Sequence, residues 1–314
     1  MASYLLRRLG ASVVTIAGIS VLIFAMGHVI YPLPGRDVLG PRASTAQVAA
    51  WNRDNGYTRP VPVQYWHYLA GLLHGNLGYS YKLNQSIATL FERRYPRSLY
   101  LSGAALLLAA LITIPFGIYR AVRRNRTDDQ VGPGVAPTVY SAPDFLLYLL
   151  VIQIFAFTLR VFGFRASQST SLLGVIADWR HMALPIACFA VAIAAGLSRY
   201  IRSAAADALS QDHSTVVRGT GLPERLVLIR HLLRNACLLM ITLIGLLIPA
   251  LLAGDLVAET AFSYGGLGLL FFASLENADY PVLLAYTLAA AVLTVLGNLL
   301  ADIALMIADY RVRL

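Results

Sequence analysis

Apolar positions along this chain gather into long uninterrupted runs, at about 9–30, 99–119, 134–157, 182–197, 236–258 and 281–307. Each run approaches or exceeds the roughly 20 residues that cross a bilayer as a helix, the 182–197 run being the shortest. In lipid a spanning segment must bond its own backbone groups, so the pattern predicts six transmembrane helices in an all-α integral membrane protein. Pro115, Pro143 and Pro185 fall inside runs and predict kinks there. Arg7 and Arg8 precede the first run as they would in a signal peptide. That run is longer than a signal core and no small-x-small cleavage site follows it, so it reads as a retained first helix.

The polar intervals set the organisation. Residues 1–30 hold a short polar start and the first helix, 31–98 form a long segment outside the membrane, and 99–314 form a core of five helices. Within 31–98 the stretch "RPVPVQYWHYLAGLLHGNLGYSY" carries an apolar patch of Tyr65, Trp66, Tyr68, Leu69, Leu72 and Leu73. It suits a helix at the membrane interface, a docking surface, or a small self-packed subdomain. Between 199 and 235 charged and apolar residues alternate, and Gly221-Leu222-Pro223 supplies a turn signal. That interval reads as helix, turn, helix, able to pass a partner's push to the spans at both its ends.

Composition agrees with the pattern: 58% hydrophobic, 13% charged and a mean hydropathy of +0.64 exclude an ordinary soluble domain. The net charge of +9 does not point to nucleic acid, because the arginines border apolar runs instead of forming one stripe. Six spans put both termini on one side. On that side lie 14 arginines, against three (Arg160, Arg165, Arg180) in the short loops opposite. The bias places both termini in the cytoplasm; the 31–98 segment is too long to count in it.

Catalytic chemistry is missing from the sequence. The single lysine, Lys82, follows Tyr81, so no phosphate-binding G-K-[ST] is present, nor is H-E-x-x-H, C-x-x-C or G-x-S-x-G. The six histidines are scattered, so no metal site is expected, and Cys188 and Cys237 read as packing residues. Among ionisable residues near the runs, Glu259 and Asp302 lie close enough to the ends to be solvated. Asp144, just after Pro143, either lines a solute path or caps a helix restart.

The stretch "RYIRSAAADALSQDHSTVVRGTGLPERLVLIRHLLRNA" resembles the EAA loop of ABC-importer permeases, in particular the B-type subunits of the dipeptide/oligopeptide/nickel group. "YLLRRL", "RPVPVQYWHYLAGLLHGNLGYSY", "RHMALP", "GDLVAETAFSYGGLGLL", "DYP" and "ADYRVRL" follow that group's order, so the resemblance covers nearly the whole chain. It implies a type I ABC importer permease fold and half of a heterodimeric pathway. The expected partners are a C-type permease subunit, two ATP-binding subunits that hold ATP and Mg, an external solute-binding protein and membrane lipid, with no cofactor on this chain. The resemblance puts a coupling helix in 199–235, turning at Gly221 and Leu222. It assigns Asp212, Arg218, Arg230, His231, Arg234 and Asn235 to ATPase contacts or to locking the loop under the bundle. "E-x-x-F-x-x-x-G-L-G", with Glu259, Phe262, Gly266 and Gly268, would be a re-entrant gate near the solute entrance. Gly265 stands where the group usually has proline. Peptides are the implied solute, with nickel chelates, glutathione-like molecules and oligosaccharides as alternatives. A stand-alone secondary transporter or channel is the competing class, and a membrane enzyme lacks the residues it would need.

Overall fold

The computed structural model describes residues 2–30, 32–122, 143–210 and 255–308. Helix α1 (Ala2–Ile30) is followed by three shorter helices, α2 (Gly35–Leu39), α3 (Thr45–Asp54) and α4 (Val61–Leu73), and by a two-residue hairpin of β1 (Tyr79–Ser80) and β2 (Gln85–Ser86). The hairpin is antiparallel, with Tyr79 opposite Ser86. Next come α5 (Ile87–Val122), α6 (Asp144–Ile152) with a π-helical turn at Gln153–Thr158, α7 (Leu172–Ala177) and α8 (Trp179–Ser210). Beyond residue 254 lie α9 (Leu256–Ala261), α10 (Leu267–Glu276) and α11 (Tyr280–Ala308).

Four described helices are long and apolar enough to cross a bilayer, over Arg7–Ile30, Ile87–Thr113, Trp179–Ser198 and Tyr280–Ile303. They correspond to the first, second, fourth and sixth expected spans. Most of the fifth, and the third before Pro143, lie outside the described residues, as do Asp212, Arg218, Gly221, Leu222, Arg230, His231, Arg234 and Asn235. Three expectations are corrected. Pro143 does not sit inside a helix: it is extended (φ −57°, ψ 136°) and caps α6, whose first residue is Asp144. Proline lacks an N–H, and a helix start is where that absence costs least. The expected fifth span also ended too late, because Asp255 caps a new helix; its Oδ1 accepts from Val257 N at 2.9 Å and Ala258 N at 3.2 Å. Helix α5 starts twelve residues before the apolar run, at Ile87, and continues through both Pro96 and Pro115.

Two helix pairs frame the molecule. Helices α1 and α11 run antiparallel: Gly27 meets Leu284 near one end, and Arg8 pairs with Asp302 at 3.2 Å near the other. A Cβ on Gly27 would lie 2.7 Å from Leu284 Cδ1, so glycine permits the close approach. Asp302 is thus ion-paired, where solvation alone was expected. Helices α5 and α8 pack through small residues, Ala105 and Ala109 against Ala190, all fully buried. A second core joins Leu101, Tyr148, Met182, Leu184 and Phe262. A third joins Ile87 and Leu90 of α5 to Leu267, Leu270 and Val282.

The 65–73 patch does not form one face. Tyr65 bonds Ser20 across 2.9 Å, and Tyr65 and Tyr68 pack their rings on Phe24 of α1. Trp66 and Leu73 point away from the protein, 67% and 80% exposed. The hydrogen bond and the Phe24 contact choose the buried side, and a 100° step per residue sends neighbouring positions elsewhere.

Candidate functional site

Between residues 255 and 279 two short helices meet the start of α5, and the meeting point is a carboxylate. Glu259, in the first turn of α9, has no exposure to solvent. Its Oε1 accepts the Ser98 hydroxyl at 2.5 Å; its Oε2 accepts Gly268 N at 2.7 Å and Leu269 N at 3.1 Å. The Ser98 oxygen in turn accepts Leu267 N at 2.8 Å. Leu267, Gly268 and Leu269 are the first residues of α10, whose amides have no partner within the helix. A glutamate and a serine from other elements therefore cap this helix, whose dipole favours the carboxylate form even as burial pushes the carboxyl pKa up to about 7. Glu259 was expected to be solvated; it is buried because its acceptor capacity is filled by donors from two other elements.

The glycines of the motif follow from this geometry. A Cβ on Gly266 would collide with both carboxylate oxygens of Glu259, and one on Gly268 would come within 2.8 Å of Leu256 Cα. Backbone cannot move aside as a flexible side chain can, so Gly268 is the stricter requirement. Gly268→Ala is expected to lower stability by about 1–3 kcal/mol, as overpacked sites do; unchanged thermal melting of the purified protein would contradict the contact.

Neighbouring residues extend the knot. The Tyr264 hydroxyl donates to Arg97 O at 3.0 Å, and Arg97 Nη1 donates to Gly265 O at 3.3 Å. Phe262 is fully buried, its carbonyl accepts Ala166 N at 2.9 Å, and its ring lies 6.1 Å from Tyr148. Tyr148 donates to Asp255 Oδ2 at 3.2 Å. At the entry to α8, His181 Nδ1 lies 2.6 Å from Asp178 Oδ1, and hydrogen bonds from His181 and Ser167 hold the Asp178 carboxyl below its ordinary range. One further carboxylate repeats the device: Asp279, just before α11, accepts the hydroxyl of Ser80 from the hairpin, and both are buried.

The structure thus gathers Glu259, Phe262, Gly266 and Gly268 into one cluster, while Asp144 is the first residue of α6. Sequence reasoning missed Ser98 and Ser80, which lie 161 and 199 residues from their carboxylates and belong to no local pattern. Asp255 did carry a signal, an aspartate placed directly before a helical stretch. The cluster holds no solvent-facing nucleophile or base, and its fully bonded carboxylate is suited to fixing helices.

Two family models match the chain: a binding-protein-dependent transport system inner membrane component over residues 113–314, and the N-terminal region of such membrane components over residues 1–102. The glutathione transport system permease protein GsiC of Salmonella typhimurium (strain LT2) is 33% identical over 303 residues, covering 96% of each chain. The protein of the same name from Escherichia coli (strain K12) is 31% identical over the same share. With matches running across both ends and the helices between them, the chain belongs to the binding-protein-dependent inner membrane components, the permease subunits of ABC importers.

Proposed function

We propose that this permease subunit forms half of the pathway for short peptides and glutathione-like solutes, delivered by an external solute-binding protein. The observation that carries the solute class is the end-to-end likeness to permeases named for glutathione, itself a tripeptide. A C-type permease subunit completes the pathway, and two ATP-binding subunits supply the work, holding ATP and Mg themselves. Both termini face the cytoplasm. The arginine bias supports this side, and the antiparallel α1 and α11 support a shared one.

In this reading six helices span the membrane, and the 199–235 loop docks on an ATP-binding subunit through a coupling helix turning at Gly221 and Leu222. Asp212, Arg218, Arg230, His231, Arg234 and Asn235 hold that contact or brace the loop. ATP draws the coupling helices together and the spans open outward; the solute is carried because the two states differ in affinity for it. Phe262, Gly266, Gly268 and Glu259 shape the outer end of the path as a fixed wall, the role their bonding suits.

Asp144 lines the path in this proposal. Asp144→Asn is then expected to reduce uptake several-fold at unchanged membrane abundance, whereas full uptake would leave it an acidic residue at the helix start, favoured by the helix dipole. The proposal as a whole is tested in proteoliposomes holding the complete transporter and its binding protein, with labelled glutathione and tri-alanine. ATP-dependent uptake of at least one is expected. Uptake that persists with hydrolysis-dead ATPases would reject the ATP-driven importer, and uptake of neither solute would reject the solute class.

A further inference from the structure

A cavity of about 540 Å³ lies between α1, α4 and the start of α11, roofed by the turn from α3 to α4. Its size is that of sites for small solutes. Two of its walls belong to candidate spans: Phe24 and Gly27 to Arg7–Ile30, and Leu284 to Tyr280–Ile303. At 1.5 Å rise per residue, Phe24 is about 9 Å inside the end of its span. The floor of the cavity therefore lies within the apolar length of two candidate spans, at their ends opposite the termini.

Charged side chains line this same cavity. Asp54 ends α3 and Arg59 stands on the turn that follows, whose direction is set by the positive φ of Gly56, 78°. Gln64 Nε2 fastens it by donating to Tyr57 O at 3.0 Å and Arg59 O at 2.8 Å. Arg59 Nη1 donates to His67 Nε2 at 2.9 Å, so the guanidinium is steadied by a ring. Tyr57 and Tyr68 supply aromatic wall, and Trp51 stacks behind Tyr57 at 5.7 Å. Both charged side chains are exposed at the mouth of the recess, above its apolar floor. A recess with a guanidinium and a carboxylate at its exposed mouth and aromatic sides matches a solute carrying both charges and an apolar body.

We propose that this cavity is an entry subsite for short zwitterionic peptides, with the carboxylate taken by Arg59 and the ammonium by Asp54. The proposal rests on the solute class proposed above. A guanidinium meets a carboxylate through paired N–H donors, and an amide in the carboxylate's place forfeits the charge.

The test is binding to the complete transporter in nanodiscs without its binding protein, so that any discrimination belongs to the membrane subunits. The probes are tri-alanine, its C-terminal amide and its N-acetyl form. Wild type is expected to bind tri-alanine about tenfold more tightly than either blocked form. Arg59→Gln should abolish the preference over the amide, Asp54→Asn the preference over the N-acetyl form, and Arg59→Lys should keep part of the first. Melting curves of the three variants identify any that fail to fold, and the remaining ones decide. Equal preference in wild type and folded variants overturns the subsite, as does absence of binding. Native mass spectrometry reads the competing occupant: loss of co-purified phosphatidylglycerol from Arg59→Gln with peptide preference intact means a lipid headgroup site, and also overturns it. Wild-type uptake separates the failures. If tri-alanine and glutathione are both refused in proteoliposomes, the solute class has failed; if either is transported while the binding preference is absent, only the subsite has.

Discussion

Glu259→Ala is expected to lower the stability of the purified permease by about 3–5 kcal/mol and to remove it from the membrane or leave it unable to transport. The side chain is wholly buried and accepts three donors from two other elements. Alanine leaves two amides at the start of α10 and the Ser98 hydroxyl without their acceptor, and opens a void where the carboxylate stood. Losses of buried charged partners fall in this range. Glu259→Gln separates bonding from charge. Its carbonyl can accept from Gly268 and Leu269 while its amide donates to Ser98, so a loss of about 1–2 kcal/mol is expected. Thermal melting in detergent and the amount of protein in membranes provide the reading. Alanine behaving like wild type would show that the carboxylate does not hold the three elements together.

Gly221→Val is expected to reduce uptake at least about tenfold while ATP hydrolysis by the partner subunits continues and membrane abundance holds. Gly221 lies outside the described residues and directly precedes Leu222-Pro223 in the proposed coupling element. A turn there that uses positive φ admits glycine freely and strains a β-branched residue. Straightening or tilting the coupling helix breaks the mechanical link without touching the catalytic residues, which are on other subunits. Normal uptake by this variant would remove the coupling role from the 199–235 loop; loss of hydrolysis together with uptake would point to failed assembly instead.

Long apolar runs made four helices legible, because hydropathy is a sum over many residues and no single contact decides it. Their ends were less so. Helix α5 extends outward through "IATLFERRYPR", a polar stretch that hydropathy cannot distinguish from loop, and it is held by Ile87, Leu90 and Phe91 packing on later elements. The gate motif was visible as spacing, but its physical content was not. Nothing near Glu259 in sequence indicates Ser98, and the need for Gly268 arises from the backbone of Leu256. The α4 patch was legible as apolar and illegible as two faces, since which side is buried depends on Ser20 and Phe24 in another helix. Asp255 shows the opposite case: an aspartate directly before a helical stretch is a local signal that would have marked the start of α9, although the apolar run was read through it.

Glu259 ties α9, α10 and the beginning of α5 through the two oxygens of one group. Such a clamp has little room for independent hinging, so during the transport cycle these three elements behave as one lever. Spin labels placed on the exposed faces of α5 and α10 should therefore report one unchanging separation in the ATP-bound and ATP-free transporter, whatever the spans around them do.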